Sequence, residues 1–212
     1  MSLMQTPKDY AFSGIKYAMN IYSQNGEDGV LFELFKRLEI SEGWACEFGA
    51  WDGKKYSNTF NLVEDKNWKC IMIEADDGKY IDLCKTAAEH PNIHPIKEEV
   101  HYLPNKGRKL DEILSETKIP KHFDLLSIDI DSCDYHIWKS LEKYDPKVVV
   151  IEHSGIDDYI IQREGAVHKV DIDGSTSFHP MRELGQEKGY ELLVDTGNLI
   201  FMKRELLKVL TA

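Results

Sequence analysis

Cysteine is scarce and poorly spaced for chemistry. Its four residues stand at positions 46, 70, 84 and 133, so no pair forms a CxxC. That spacing argues against a zinc site or a dithiol redox motif. Cys46, Cys70 and Cys84 fall in apolar stretches and are expected as small buried residues in a reducing, cytoplasmic setting. Positive charge is also short: 26 Lys and Arg face 37 Asp and Glu, a net of −11. Nucleic acids and anionic membrane surfaces are bound through Lys and Arg, so neither is expected as a partner. No apolar run approaches the roughly 18 residues of a membrane span. The opening MSLMQTPKDYAF lacks the apolar core of a signal peptide. Internal repeats and low-complexity linkers are likewise missing.

What is present is ordinary globular material: 212 residues, 42% apolar. A chain of this size buries roughly 70% of its unfolded surface, enough to fold without disulfides or a structural metal. One domain over 1–212 is the expectation. Short, partly β-branched apolar runs occur at 44–48, 69–74, 92–96, 123–130 and 147–152, as doubly covered parallel strands require. Amphipathic patterns lie between them, near 57–67, 78–89, 106–117 and 133–143. This alternation predicts an α/β, Rossmann-like, doubly wound sheet. Ahead of it, residues 26–40 form an amphipathic helical pattern capped by Asn25 or Asp28. Residues 154–178 are polar and look like a long loop on the acceptor side of a site. A helix at 179–188 ends at Gly189, and two further strands, 190–195 and 198–203, flank Thr196-Gly197 as an antiparallel hairpin.

Acids fall at or just beyond the ends of the five apolar runs: Glu47, Glu74, Glu98-Glu99, Asp129 and Glu152. Open α/β sheets bind ligands outside the carboxyl ends of their strands, so these acids should crown one rim. The first turn, Glu47-Phe48-Gly49-Ala50-Trp51-Asp52-Gly53, is not GxGxxG. Its Trp51 and Asp52 oppose a diphosphate at the place where a dinucleotide fold holds one. S-adenosylmethionine, which carries a ribose diol, an ammonium and a sulfonium but no phosphate, suits the acids better. Glu74, 21 residues beyond Gly53, has the spacing at which an acid reaches a ribose diol.

The segments YSQNGEDGVLFELF (22–35), CEFGAWDGKKYSNTFNLVED (46–65), IMIEADD (71–77), FDLLSIDIDSCDYHIWKSL (123–141) and VVVIEHS (148–154) resemble the FkbM-type methyltransferases of the class I S-adenosylmethionine-dependent fold. The resemblance implies a mostly parallel seven-stranded sheet with a C-terminal antiparallel strand. It also implies methyl transfer, expected to a hydroxyl of a small molecule or sugar. It assigns the cofactor loop to Glu47, Gly49, Ala50, Asp52 and Gly53, the ribose to Glu74, and the adenine region to Glu98 or Glu99, with Glu99 taken. Asp129 and Asp131 match acids that flank cofactor and acceptor. The family usually has Gly after IDID, where this chain has Ser132-Cys133, side chains expected to narrow the acceptor side. His153 is the candidate base for a hydroxyl acceptor. Two alternatives stay open: a DxD metal-dependent glycosyltransferase built on Asp129-Ile130-Asp131, and a non-catalytic module of the same fold.

Overall fold

A computed structural model describes residues 12–130, 133–154 and 176–210. Five parallel strands run as β1 (Trp44–Phe48), β2 (Lys69–Glu74), β3 (Ile93–Lys97), β4 (Leu125–Ile128) and β5 (Val148–Glu152). The hairpin β6 (Tyr190–Asp195) and β7 (Asn198–Lys203) joins antiparallel, giving the order β3-β2-β1-β4-β5-β7-β6. The helices are α1 (Glu27–Arg37), α2 (Phe60–Lys66), α3 (Asp77–Glu89), α4 (Leu110–Ser115), α5 (Asp134–Ser140) and α6 (Phe178–Glu187).

Period-two alternation divides each strand between two cores. Phe48, Ile73, Leu126, Val149, Ile151 and Phe201 pack with α4, α5 and α6. Ala45, Cys70, Met72, Leu125, Val150 and Ile200 pack with α1, α2 and α3. Both faces are dry, which explains why these strands are nearly continuous apolar runs.

Elements come out shorter than their patterns. The 106–117 and 133–143 patterns contract to the six and seven residues of α4 and α5, because Arg108 bridges back to residues 99–101 ahead of α4 and the amides of Glu142 and Lys143 go to the Asp111 carboxylate after α5. Two local expectations are corrected. The residue before α1 is Gly26, with φ 101° and no capping side chain. Asp28 instead points backwards, and its Oδ2 accepts from the amides of Ile21, Tyr22 and Ser23 at 2.7–2.8 Å. Cys84 lies half-buried on α3, whereas Cys46 and Cys70 are fully enclosed. No helix among the described residues is long and apolar enough to cross a membrane.

Gly185 shows how tightly α6 sits on the sheet. A Cβ there would lie 2.5 Å from Cε1 of Phe201, and that ring is itself wedged against Trp138, 5.0 Å between centroids. In an open helix, Gly→Ala gains about 1 kcal/mol. Here the overpacking cost of about 1–3 kcal/mol is the larger effect. Gly185→Ala is therefore expected to lower the midpoint of urea unfolding; a rise would show that the α6–sheet contact yields easily.

Candidate active site

The sheet order reverses between β1 and β4, since the chain leaves β1 toward α2 on one face and β4 toward α5 on the other. Such a switch point opens a crevice at the carboxyl ends of the strands. Gly49 makes this crevice possible. Its φ is 77°, and a Cβ would stand 2.0 Å from the carbonyl oxygen of Asp129. The amides of Gly49 and Ala50 both donate to the carbonyl of Ile73, at 3.1 and 3.2 Å. The loop after β1 is thus drawn across the ends of β2 and β4. Gly53, at φ 81°, lets α3 close in, because a Cβ there would meet Leu83 at 2.7 Å. Trp51 also has a positive φ, 51°, a conformation that costs a bulky residue on the order of 1–3 kcal/mol. Glu74 compensates: its Oε2 accepts from the Trp51 amide at 2.8 Å, and its Oε1 from the Asp76 amide at 2.8 Å.

Over this loop lies a cavity of about 630 Å³, within the range of small-molecule sites. The carboxylates of the rim converge on it: Glu47 from β1, Glu74 from β2, Glu98 and Glu99 beyond β3, Asp129 beyond β4 and Glu152 from β5. Gly49 and Ala50 form part of its floor. Asp52, Gly53 and His153 are not among the lining residues, and Asp131 and Ser132, with residues 155–175 of the stretch expected on the acceptor side, lie outside the described residues.

The acids do different jobs. Glu47 is 5% exposed and fully engaged by its own chain. Its Oε2 accepts from the hydroxyls of Ser57 and Thr59 at 2.5 and 2.6 Å. Its Oε1 accepts from the Asn58 amide at 2.9 Å and from the Ser127 hydroxyl at 3.4 Å. Glu47 therefore pins the turn before α2 to β1 and β4. Ser57 bonds in two directions, since its oxygen also accepts from the amides of Thr59 and Phe60. Asp52 shapes the loop from behind the cavity, its Oδ1 taking the amides of Lys54 and Lys55 at 2.9 and 2.8 Å. Glu98 pairs with Arg108 at 2.8 Å, and Arg108 also holds Glu116. Glu99 fixes the same strap through its carbonyl, which accepts from the Arg108 amide at 2.8 Å.

His153 stands just past Glu152, its side chain 8% exposed, with Nε2 3.2 Å from Oδ1 of Asp195. Burial raises the Asp195 carboxyl, but its hydrogen bonds with His153 and the Gly197 amide, together with the His153 charge, outweigh this and leave it below the ordinary value. This pairing is invisible in sequence order, because it depends on β7 inserting between β5 and β6. The same holds for Gln24, Lys55, Tyr56, Lys79, His101 and Cys133, which line the cavity from five different segments. Cys133, 4% exposed, lines the cavity just ahead of α5. Trp51 forms an exposed wall, with the ammonium groups of Lys55 and Lys79 at 4.5 and 4.4 Å from its ring centroid, distances typical of cation–π contact. A signal for Gln24 did exist: it lies inside the segment 22–35 that resembles the family, ahead of the cofactor loop.

Burial pushes the Glu47 carboxyl above its ordinary value of 4.5, against four hydrogen bonds that lower it. A carboxyl raised in the folded state favours the protonated form. Its contribution to stability is complete below 4.5 and is lost as pH rises through the folded value. The stability of the wild type relative to Glu47→Gln should therefore fall as pH rises from 4.5 toward neutrality in urea titrations. A difference that stays constant with pH would mean that burial does not dominate at Glu47.

Comparison with known proteins agrees with this architecture. No curated protein matches the chain. Among solved structures, PKMT2 from Rickettsia typhi in complex with AdoHcy superposes with a TM-score of 0.52 at 11% identity, covering 78% of this chain and 50% of that one. This chain thus spans half the length of that protein. A putative caffeoyl-CoA O-methyltransferase from Staphylococcus aureus superposes with a TM-score of 0.54 at 12% identity, covering 89% of this chain and 87% of that one. At such identities the likeness concerns the fold. The model of the methyltransferase FkbM domain matches residues 47–192, from the acid of the first turn to the middle of β6. The chain belongs to the FkbM methyltransferase domain family.

Proposed function

We propose that this protein transfers a methyl group from S-adenosylmethionine to a hydroxyl of a small-molecule or sugar acceptor. The residues fit the cofactor. Each Glu74 oxygen accepts one backbone hydrogen bond and keeps a lone pair for a ribose hydroxyl. Gly49 lets the β1 loop pass against the Asp129 carbonyl, which sets Gly49 and Ala50 in the lining of the cavity. The acidic rim suits an ammonium and a sulfonium and repels phosphates. When bound, S-adenosylmethionine supplies a methyl group already activated by positive sulfur. What remains for the chain is alignment and the fate of one proton.

The observation that carries the hydroxyl reading is the His153–Asp195 pair at the carboxyl end of β5. A hydroxyl oxygen that forms a bond to the methyl carbon must release its proton, whereas a thioether nucleophile, which becomes a sulfonium, imposes no such need. Asp195 holds one ring nitrogen of His153, Nε2, and a neutral imidazole serves as a proton acceptor near neutral pH. Asp195 fixes the ring and stabilises the imidazolium that forms, the role a carboxylate plays beside a catalytic histidine. Asp129 and Glu152, at the carboxyl ends of the adjacent strands β4 and β5, offer acceptors to neighbouring hydroxyls of a polyol. Family membership favours methyl transfer over glycosyl transfer through Asp129 and Asp131.

Two measurements test this reading. In calorimetry, Glu74→Ala should weaken S-adenosylhomocysteine by the roughly 1.5–3 kcal/mol typical of hydrogen bonds to a charged group; equal affinity would remove Glu74 from the site. In an assay of S-adenosylhomocysteine release across a panel of hydroxylated acceptors, His153→Gln should lower turnover at least about 10²-fold with cofactor affinity unchanged. Asp195→Asn should lower it less and displace the pH profile. Turnover undiminished in His153→Gln would exclude His153 as the base, and cofactor binding without turnover on any acceptor would favour a non-catalytic module.

A further inference from the structure

The segment just before α1 is held with unusual expense. Glu27 is 0% exposed and Asp28 2% exposed, and burying two carboxylates is costly unless each is fully hydrogen-bonded to something worth fixing. Asp28 gathers the amides of Ile21, Tyr22 and Ser23. Glu27 takes the Asn25 amide at 2.8 Å through Oε2, and the side chains of Thr196 and Asn198 at 2.9 and 3.1 Å through Oε1. The backing is equally tight: a Cβ on Gly29 would lie 2.0 Å from the Tyr17 carbonyl oxygen, and one on Gly197 would lie 2.9 Å from the Asn25 amide group. Tyr22 seals the other side, its ring edge-on to Phe60 at 4.7 Å and its hydroxyl on Glu64. The result is a rigid loop locked between the start of α2 and the β6–β7 turn. Of its residues 20–26, Gln24 is the one that lines the cavity.

We propose that Gln24 binds the amino-acid carboxylate of the cofactor. This rests on the reading that the cavity holds S-adenosylmethionine. The order of the rim sets the direction: Glu98 and His101 lie beyond β3, Glu74 ends β2, and Gly49 follows β1. A ribose held at Glu74 sends its 5′ substituent across Gly49, toward the end of the cavity where the locked loop stands. The ammonium of that substituent suits the carboxylates around it, but its own carboxylate does not. It needs a donor without negative charge, and Lys55 and Lys79 are placed over Trp51. Gln24 is the one carboxamide among the described lining residues, and its NH₂ group offers two donors. The cost of the two buried acids is then the cost of holding that amide still. Sequence matching to the family begins at Glu47, so this loop adds a contact from outside the matched region.

Calorimetry with two probes separates this role from a structural one. S-adenosylhomocysteine carries the amino-acid group, and 5′-methylthioadenosine is the same nucleoside without it. Gln24→Ala should weaken S-adenosylhomocysteine about tenfold, one hydrogen bond to a charged group, and leave 5′-methylthioadenosine unchanged. Gln24→Glu, which sets a like charge against the carboxylate, should weaken S-adenosylhomocysteine further and again spare 5′-methylthioadenosine. Unchanged affinity for S-adenosylhomocysteine in both variants, or an equal loss for the two probes, would overturn the assignment. A wild-type protein that binds neither probe would overturn the cofactor reading itself and the assignment with it.

Discussion

The crevice depends on one close approach, that of the Gly49 backbone to the carbonyl of Asp129, where a Cβ would stand 2.0 Å away. Adjacent parallel strands sit about 4.8 Å apart, and at a switch point their connections diverge. The loop after β1 can cross the strand ends only if no side chain stands between Gly49 and the Asp129 carbonyl. Gly49 removes the side chain, accepts the positive φ, and lets the loop spend two amides on Ile73. Trp51, Glu74 and the walls of the cavity take their positions from that crossing.

Around the crossing, carboxylates serve as scaffolding as much as recognition. Glu47 is consumed by Ser57, Asn58, Thr59 and Ser127. Asp52 is consumed by the backbone of its own turn. Asp134, 0% exposed, holds the amide of Ile130 at 3.0 Å and so shapes the end of β4. Glu74 braces Trp51 and Asp76 through one hydrogen bond to each carboxylate oxygen and lines the cavity. Preorganisation of this kind suits methyl transfer, in which alignment supplies most of the catalysis. Acids that look equivalent along the chain thus divide by what faces them.

The sheet was legible because its strands are buried on both faces, so each is a run of apolar residues that stops where an acid begins. The two-residue Thr196-Gly197 turn was legible for a similar local reason: Gly197 adopts φ 121° there. Local patterns failed where a side chain bonds to distant backbone. Asp28 has the composition of a helix cap, yet it folds the preceding loop instead. Asp52 belongs to the motif of the cofactor loop, yet it lies behind the cavity rather than in it.

The order of apolar runs, the acids at their ends and the glycines of the first turn follow from the chain itself, since burial and backbone sterics act on neighbours in sequence. These features carry the doubly wound sheet and the place of its rim. The tertiary structure alone decided which groups meet across that rim. His153 meets Asp195 only because β7 enters the sheet antiparallel between β5 and β6. Gln24 reaches the cavity only because Asp28 folds its loop locally and Glu27 ties that loop to Thr196 and Asn198, 169 and 171 positions away. Such meetings are set by packing over long loops, and no local propensity encodes them.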